Sequence, residues 1–288
     1  MIPDLSVVIV NYNTGNDLNR CIASLAVGIG EIEWDGVIID NASTDDSGKH
    51  ILGLGKFILH HNLNNVGFSR AVNQGIAMSK GRYVLILNPD CELMPGVVMV
   101  LLDELNRDSA NMLVGPRILD PDGAIQGSAR GDPTMFTGLF GRTGIFTKMF
   151  PQSRIAKKNV QTLETKSSKD SSVSVDWVSG ACMLARRDTL VQVGCFDERF
   201  FLYWEDADLC RRLRENGGAI RYVPVATVKH RVGRSSETAK VLAIKSFHAS
   251  AYLYYTTYVA QSLFNPARWV AKVILYLRCQ WQLVRYVR

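Results

Sequence analysis

The 288-residue sequence lacks most of the features that would classify it quickly. Its six cysteines, Cys21, Cys91, Cys182, Cys195, Cys210 and Cys279, are scattered without a C-x-x-C pair, so neither a zinc site nor a disulfide framework is indicated. No G-x-G-x-x-G follows the first apolar run, where N-Y-N-T-G-N-D stands instead, and no G-x-x-x-x-G-K-[ST] occurs anywhere. Both common phosphate loops are therefore missing. The opening MIPDLSVVIV has no basic leader or small-residue cleavage site and reads as a buried strand; with the cysteine pattern, it sets cytoplasm as the expected compartment. Acid is absent after Glu237, while Lys240, Lys245, Arg268, Lys272, Arg278, Arg285 and Arg288 contribute +7 there. Since the whole chain carries +6, the first 237 residues come to about −1, and the basic character belongs to the tail.

What is present is a globular composition, 47% hydrophobic and 21% charged, which excludes disorder as the main character. Leu5–Val10 is a continuous β-branched run, followed by a helical pattern with Leu18, Cys21, Ile22 and Leu25 on one face. Val37–Ile39, Phe57–Leu59 and Tyr83–Leu87 repeat the buried-strand signature, with helix-like stretches at Gly67–Ser79 and Pro95–Asn106. This alternation predicts an α/β fold with a mainly parallel central sheet and flanking helices, whose ligands gather at the carboxyl ends of the strands. Three of those ends are polar: Asn11-Tyr12-Asn13, Asp40 to Asp45, and Asn88-Pro89-Asp90. One such cluster is ordinarily a turn; three on one rim predict a site. A diphosphate held without a glycine-rich loop needs another positive charge, and a divalent cation on a carboxylate supplies one, with Asp90 best placed.

The motifs, in order, are S-V-V-I-V-N-Y-N at 6–13, I-I-D-N-A-S-T-D-D at 38–46, N-N-V-G-F-S-R-A-V-N-Q-G at 64–75, L-N-P-D at 87–90, W-V-S-G-A-C-M-L at 177–184, G-C-F-D-E-R-F-F-L-Y-W-E-D-A-D-L-C-R-R at 194–212 and H-R-V-G-R-S-S at 230–236. Together they resemble the family 2 glycosyltransferases of the GT-A fold, within them the rhamnosyltransferase branch of cell-surface polysaccharide synthesis. The resemblance implies a catalytic domain over 1–236, its donor half about 1–115 and acceptor half about 116–236, and a separate region at 237–288. It further implies an inverting transferase that moves a sugar, rhamnose by analogy, from a nucleoside-diphosphate donor to a glycan or lipid-linked hydroxyl. A UDP donor carrying another sugar is the alternative. A nucleotidyltransferase would need a basic glycine-rich signature after the first strand, which is missing; a non-catalytic sugar-binding module would need dispensable acids.

Residue roles follow from the same resemblance. Asp40 would read the pyrimidine ring N–H, with Asn11, Tyr12, Asn13 and Asn41 nearby. Asn65, Gly67 and Phe68 would cover the nucleoside, Gly67 allowing close backbone approach and the next helix N-terminus favouring negative charge. Arg70, Asn73 and Asn88 would complete the donor contacts. The usual D-x-D is here Asn88-Pro89-Asp90, so Asp90 and His230 would hold Mg²⁺ or Mn²⁺, the diphosphate and water completing the shell. Asp206, in the first turn of a helix ending near Gly217, would be the base that takes the acceptor proton, kept ionised by the helix dipole and a nearby cation. Glu205 would orient the acceptor, with Trp177 and Gly180 lining its cavity; for Trp177 a core role is the simpler alternative. The apolar segment 131–150 reads either as an acceptor loop leading into a mobile connection or as an ordinary insertion.

On a helix over Pro266–Arg288, Trp269, Val273, Tyr276, Leu277, Leu283, Val284 and Val287 share one arc, with basic residues around the remainder. Lys272 and Arg278 interrupt it, so it is no membrane span; the pattern predicts a helix lying on an anionic membrane surface. Packing on the catalytic domain or on a second subunit remains the rival. Nucleic acid is not expected as a partner, since only the tail is basic and no aromatic platform accompanies it.

Overall fold

The computed structural model describes residues 3–47, 55–132, 172–231 and 239–287. Residues 133–150 of the apolar segment and most of H-R-V-G-R-S-S therefore lie outside the described residues. The chain opens β1 (Leu5–Asn11), α1 (Asp17–Ile29), β2 (Trp34–Asp40), β3 (Phe57–His61), α2 (Phe68–Met78), β4 (Tyr83–Leu87), β5 (Cys91–Leu93), α3 (Val97–Arg107) and β6 (Asn111–Leu119). It continues with β7 (Ala129–Arg130), β8 (Val173–Val175), β9 (Trp177–Val178), β10 (Cys182–Arg186), α4 (Arg187–Gln192), α5 (Glu205–Glu215) and β11 (Ala219–His230). Two long helices, α6 (Lys240–Tyr258) and α7 (Pro266–Val287), close the described chain.

The main sheet runs β3-β2-β1-β4-β10-β6-β11-β5, with β8 also on β11. Its first four strands are parallel; β10 then enters antiparallel to both β4 and β6, and β6 and β11 are parallel again. Every residue of β1 is buried, as a strand covered on both faces must be. Alternation splits it cleanly. Val7 and Ile9 join the core under α1 and α3, while Val8 and Val10 join the core under α2 and α5.

Register places the predicted rim. Asn11 lies beside Asp40, and Asp40 beside His61, so three strand ends are level. Because β1 is flanked by β2 on one side and β4 on the other, the order reverses there and opens the crevice in which such sheets bind ligands. At the far side β11 pairs antiparallel with β5, which sets His230 opposite Cys91 and next to Asp90.

Candidate active site

A cavity of about 210 Å³ sits at that crevice. Tyr12, Asn41, Asn65, Gly67, Phe68, Asn88, Asp90 and His230 line it, so eight residues singled out in the sequence converge. The rest of the wall comes from Phe201, Leu202 and Tyr203 before α5 and from Ala239, Leu242 and Ala243 at the start of α6. Sequence reasoning missed that apolar wall. The F-F-L-Y-W run was visible, but nothing in it said that the last region of the chain would fold back over the donor side.

Several expected donor residues are held by hydrogen bonds within the rim. Asn11 is fully buried, and its amide N–H groups reach Asp40 Oδ1 (2.8 Å), Ser47 Oγ (2.8 Å) and Ser43 Oγ (3.1 Å). Asn13 Oδ1 accepts from the Thr44 backbone at 2.7 Å, stapling two rim loops together. Asn41 donates to Asn65 Oδ1 and the Gly67 carbonyl and accepts from Asn62 and the Val66 backbone, which shapes the 65–67 loop from beneath. Asp40 lies in this layer, almost buried and outside the cavity lining; its Oδ2 has only long contacts, 3.3 Å from Ser43 N and 3.3 Å from His61 Nδ1.

The α2 N-terminus also differs from expectation. Gly67 has φ +87°, and a Cβ there would come within 2.7 Å of the Phe201 carbonyl, so glycine is required on two counts. The Phe68 N–H, however, donates to that same Phe201 carbonyl (2.7 Å) and Ser69 Oγ to Phe200 O (2.6 Å), so the first N–H of α2 is taken by protein. Asn73 exchanges two hydrogen bonds with Phe196, and Arg70 faces Glu198 at 3.8 Å. Both residues tie α2 to the chain before α5, and neither lines the cavity.

The Asp90–His230 pair is the most informative contact. His230 Nε2 lies 3.1 Å from Asp90 Oδ1, yet that oxygen is buried and receives no hydrogen bond. His230 Nδ1 faces Gln126 Oε1 at 3.0 Å. An amide oxygen only accepts, so Nδ1 carries a proton, and the uncharged form of the ring turns the Nε2 lone pair to the orphaned carboxylate oxygen. Two acceptors at this distance fit a cation between them, and the donor set suits Mg²⁺ or Mn²⁺. Cys91 Sγ is also within 4.8 Å of both, but it donates to the Ala181 carbonyl (3.3 Å) and is a poor partner for such hard ions.

The acid pair opens α5. Asp206 Oδ2 accepts from Gly180 N (3.0 Å) and Oδ1 from Ala207 N (2.8 Å). Burial nevertheless raises its carboxyl above the usual range, with the Gly180 N–H and the Arg130 charge pulling it down. The helix end and a cation thus act as expected, but desolvation outweighs them. Glu205 is pushed well up by burial and by the charge of Asp206, and its Oε2 is buried without a partner. Trp177 is half-buried against the core: Arg130 stacks over its ring at 4.7 Å, and its Nε1 donates to Gly131 O.

A short chain of contacts links the two acids. Asn88 N donates to Ala181 O (2.9 Å), and the preceding residue, Gly180, donates to Asp206. Just before the pair, Tyr203 and Trp204 adopt φ of 68° and 72°, a left-handed backbone that non-glycine residues hold only under constraint. The constraint comes from α6. Trp204 packs on Phe247 and Tyr254, Ser250 Oγ holds the Leu202 carbonyl (3.0 Å), and Tyr258 Oη donates to buried Asp208 (2.6 Å).

A crevice at a sheet switch point, an acid and histidine suited to a cation on one side and an amide-held carboxylate beyond it are the arrangement of a sugar-nucleotide transferase of the GT-A fold. The chain belongs to glycosyl transferase family 2, whose model matches residues 6–157. It is 32% identical to the N-acetylglucosaminyl-diphospho-decaprenol L-rhamnosyltransferase of Mycobacterium tuberculosis, over 95% of this chain and 91% of that one. The low-salt glycan biosynthesis hexosyltransferase Agl10 of Haloferax volcanii is 25% identical over 80% of this chain and 68% of its own. Among solved structures, GalNAc-T7 with UDP, GalNAc and Mn²⁺ superposes at a TM-score of 0.58 with 18% identity, over 80% of this chain and 44% of that one. S. aureus TarS 1–349 with UDP gives 0.55 and 14%, over 86% and 65%.

Proposed function

We propose that this glycosyltransferase moves L-rhamnose, with inversion, from a thymidine-diphosphate donor to a hydroxyl of a lipid-linked glycan. The observation that carries the reading is the division of the site: the orphaned Asp90 Oδ1 faces His230 Nε2 on the donor side, and Asp206, outside the cavity lining, connects to Asn88 through the Asn88–Ala181 and Gly180–Asp206 contacts. The relative in Mycobacterium tuberculosis supports both rhamnose and a diphospho-lipid acceptor. The apolar wall of Phe201, Leu202, Leu242 and Ala243 supports a 6-deoxy sugar, which presents a methyl where other hexoses carry a hydroxyl. Asp40, through its weakly held Oδ2, would meet the pyrimidine ring.

Asp90 and His230 would hold the divalent cation, which when bound neutralises charge developing on the leaving diphosphate. The remaining work belongs to the chain. Asp206 takes the proton from the acceptor hydroxyl as that oxygen attacks the anomeric carbon, and its raised carboxyl makes it a stronger base than an exposed aspartate. One base and one displacement invert the centre. Glu205, buried and raised beside Asp206, is the weaker candidate for a second carboxylate nucleophile.

The membrane reading of the tail also gains support. No described helix is long and apolar enough to cross a bilayer. Ala271, Leu275 and Cys279 of α7 pack inward, whereas Trp269, Val270, Val273, Tyr276, Leu277, Trp281 and Val284 are exposed. The exposed stripe is wider than the sequence arc and gains Trp281, while Leu283 is partly covered and the Val287 side chain lies outside the described residues. At the α6–α7 turn Leu263 and Phe264 are 96% and 93% exposed, a tip suited to the acyl boundary. With Lys272 and Arg285 also exposed and no acid nearby, an anionic membrane surface is the matching partner.

A donor panel tests the reaction: thymidine-diphosphate rhamnose and several UDP-sugars, each with a GlcNAc-diphospho-lipid acceptor, in Mn²⁺ or in excess chelator. Transfer from the rhamnose donor alone, lost in chelator, is expected. Preference for a UDP-sugar would overturn the donor assignment, and full activity in chelator would overturn the metal assignment. Co-sedimentation with anionic vesicles tests the tail: a Leu263→Ser/Phe264→Ser variant should partition less than wild type, and equal partitioning would remove the membrane reading.

A further inference from the structure

Gln126 was not among the residues the sequence singled out, yet it grips His230 at two points. Its Nε2 donates to Asp120 Oδ1 (2.6 Å) and to the backbone carbonyl of His230 (3.0 Å), while its Oε1 faces His230 Nδ1 at 3.0 Å. Both partners of Nε2 are pure acceptors, so the amide can sit only one way round, with Oε1 toward the ring. The fold places it there through the hairpin after β6. Gly123, with φ +87°, closes the turn on Asp120, and Gln126 N returns to Ile118 O (2.9 Å). Leu119 of β6 is in parallel register with Lys229, one residue before His230, so the returning limb passes beside the histidine.

We infer that Gln126, held in orientation by Asp120, is a positioning residue that fixes His230 as a metal ligand by requiring its proton on Nδ1. The inference rests on the metal reading above. If Oε1 and the amide N–H groups were exchanged, the ring could place its proton on Nε2 and satisfy Asp90 Oδ1 with a hydrogen bond. The pair would then close on itself, and the cation would lose one ligand. Asp120 and the His230 carbonyl prevent that exchange, because an inverted amide would set its oxygen against theirs. Outer partners of ligating histidines commonly govern metal affinity by about 10- to 100-fold.

The test titrates full-length protein with Mn²⁺, with and without thymidine diphosphate, reading free Mn²⁺ by electron paramagnetic resonance, and records each variant's melting temperature. Gln126→Ala should bind Mn²⁺ about 10- to 100-fold more weakly than wild type. Gln126→Glu keeps an acceptor for Nδ1–H but sets a second carboxylate beside Asp120; it should bind within about threefold of wild type although it melts lower. A bracing role predicts the reverse order, with Gln126→Glu the worse of the two for metal. Wild-type affinity in Gln126→Ala, or Gln126→Glu no better than Gln126→Ala, overturns the inference and leaves the metal site standing. Wild-type protein that binds no Mn²⁺ in either arm overturns the metal reading and this inference with it.

Discussion

The two acidic centres of the molecule are built in opposite ways. Asp90 and His230 meet because two strands pair in a fixed register, and Asp90 Oδ1 is left without a hydrogen-bond donor. Asp206 meets its partners because a helix begins there, and its two oxygens are both satisfied by backbone N–H groups. The first arrangement leaves a buried acceptor open; the second is satisfied and raised by burial. An open acceptor beside a histidine on rigid strands suits a cation, and a raised carboxylate at a helix start suits proton exchange.

The largest expected effect comes from breaking the second centre alone. Asp206→Asn keeps an acceptor oxygen for Gly180 but no longer takes a proton, so turnover should fall by about 10²- to 10⁴-fold. Single-turnover kinetics at saturating donor check this, and a loss confined to KM would make Asp206 a binding residue. Breaking the first centre should look different. Asp90→Asn should need at least about tenfold more Mn²⁺ for half-maximal activity, read from metal titrations of rate. Unchanged metal dependence would remove Asp90 from the site.

Much of this was legible in the sequence because its signals were local. The four parallel strands, α1 and the polar strand ends follow from short apolar runs and their punctuation, and Tyr83–Leu87 was bounded to the residue. Eight singled-out residues line the cavity for the same reason. What stayed hidden depends on contacts distant in sequence. Asn73 looked like a donor contact but bonds a segment more than 120 residues away. Gln126 carries no motif of its own. α6 read as part of an appendage because its hydrophobic pattern says nothing of Tyr258 reaching Asp208 or of Leu242 reaching the donor cavity. Burial of Glu205 and Asp206 likewise could not be read from two adjacent acids.

Two smaller effects sharpen the comparison on the proton side. Tyr258→Phe removes a hydrogen bond to a buried carboxylate, which should cost about 1–3 kcal/mol of stability and lower turnover by less than about tenfold, with metal dependence intact. Denaturant melts and metal titrations check both halves, and altered metal dependence would mean that the two centres are not separate. The smallest effect is a slope. Burial raises the folded Glu205 carboxyl above its unfolded value of about pH 4.3, so folding stability declines as pH rises from there toward the raised folded value. Glu205→Gln removes that decline, and the stability difference between variant and wild type should widen from pH 4 to pH 7. Parallel stability curves would mean that Glu205 is charged when folded.

The division of labour is tested most directly by calorimetric titration of thymidine diphosphate into wild type, Asp206→Asn and Asp90→Asn, each with and without Mn²⁺. Asp206→Asn should bind the nucleotide as wild type does and show the same strengthening by Mn²⁺, while Asp90→Asn should lose that strengthening. If Asp206→Asn loses nucleotide affinity, or Asp90→Asn keeps its full response to Mn²⁺, the two centres do not divide binding from proton transfer.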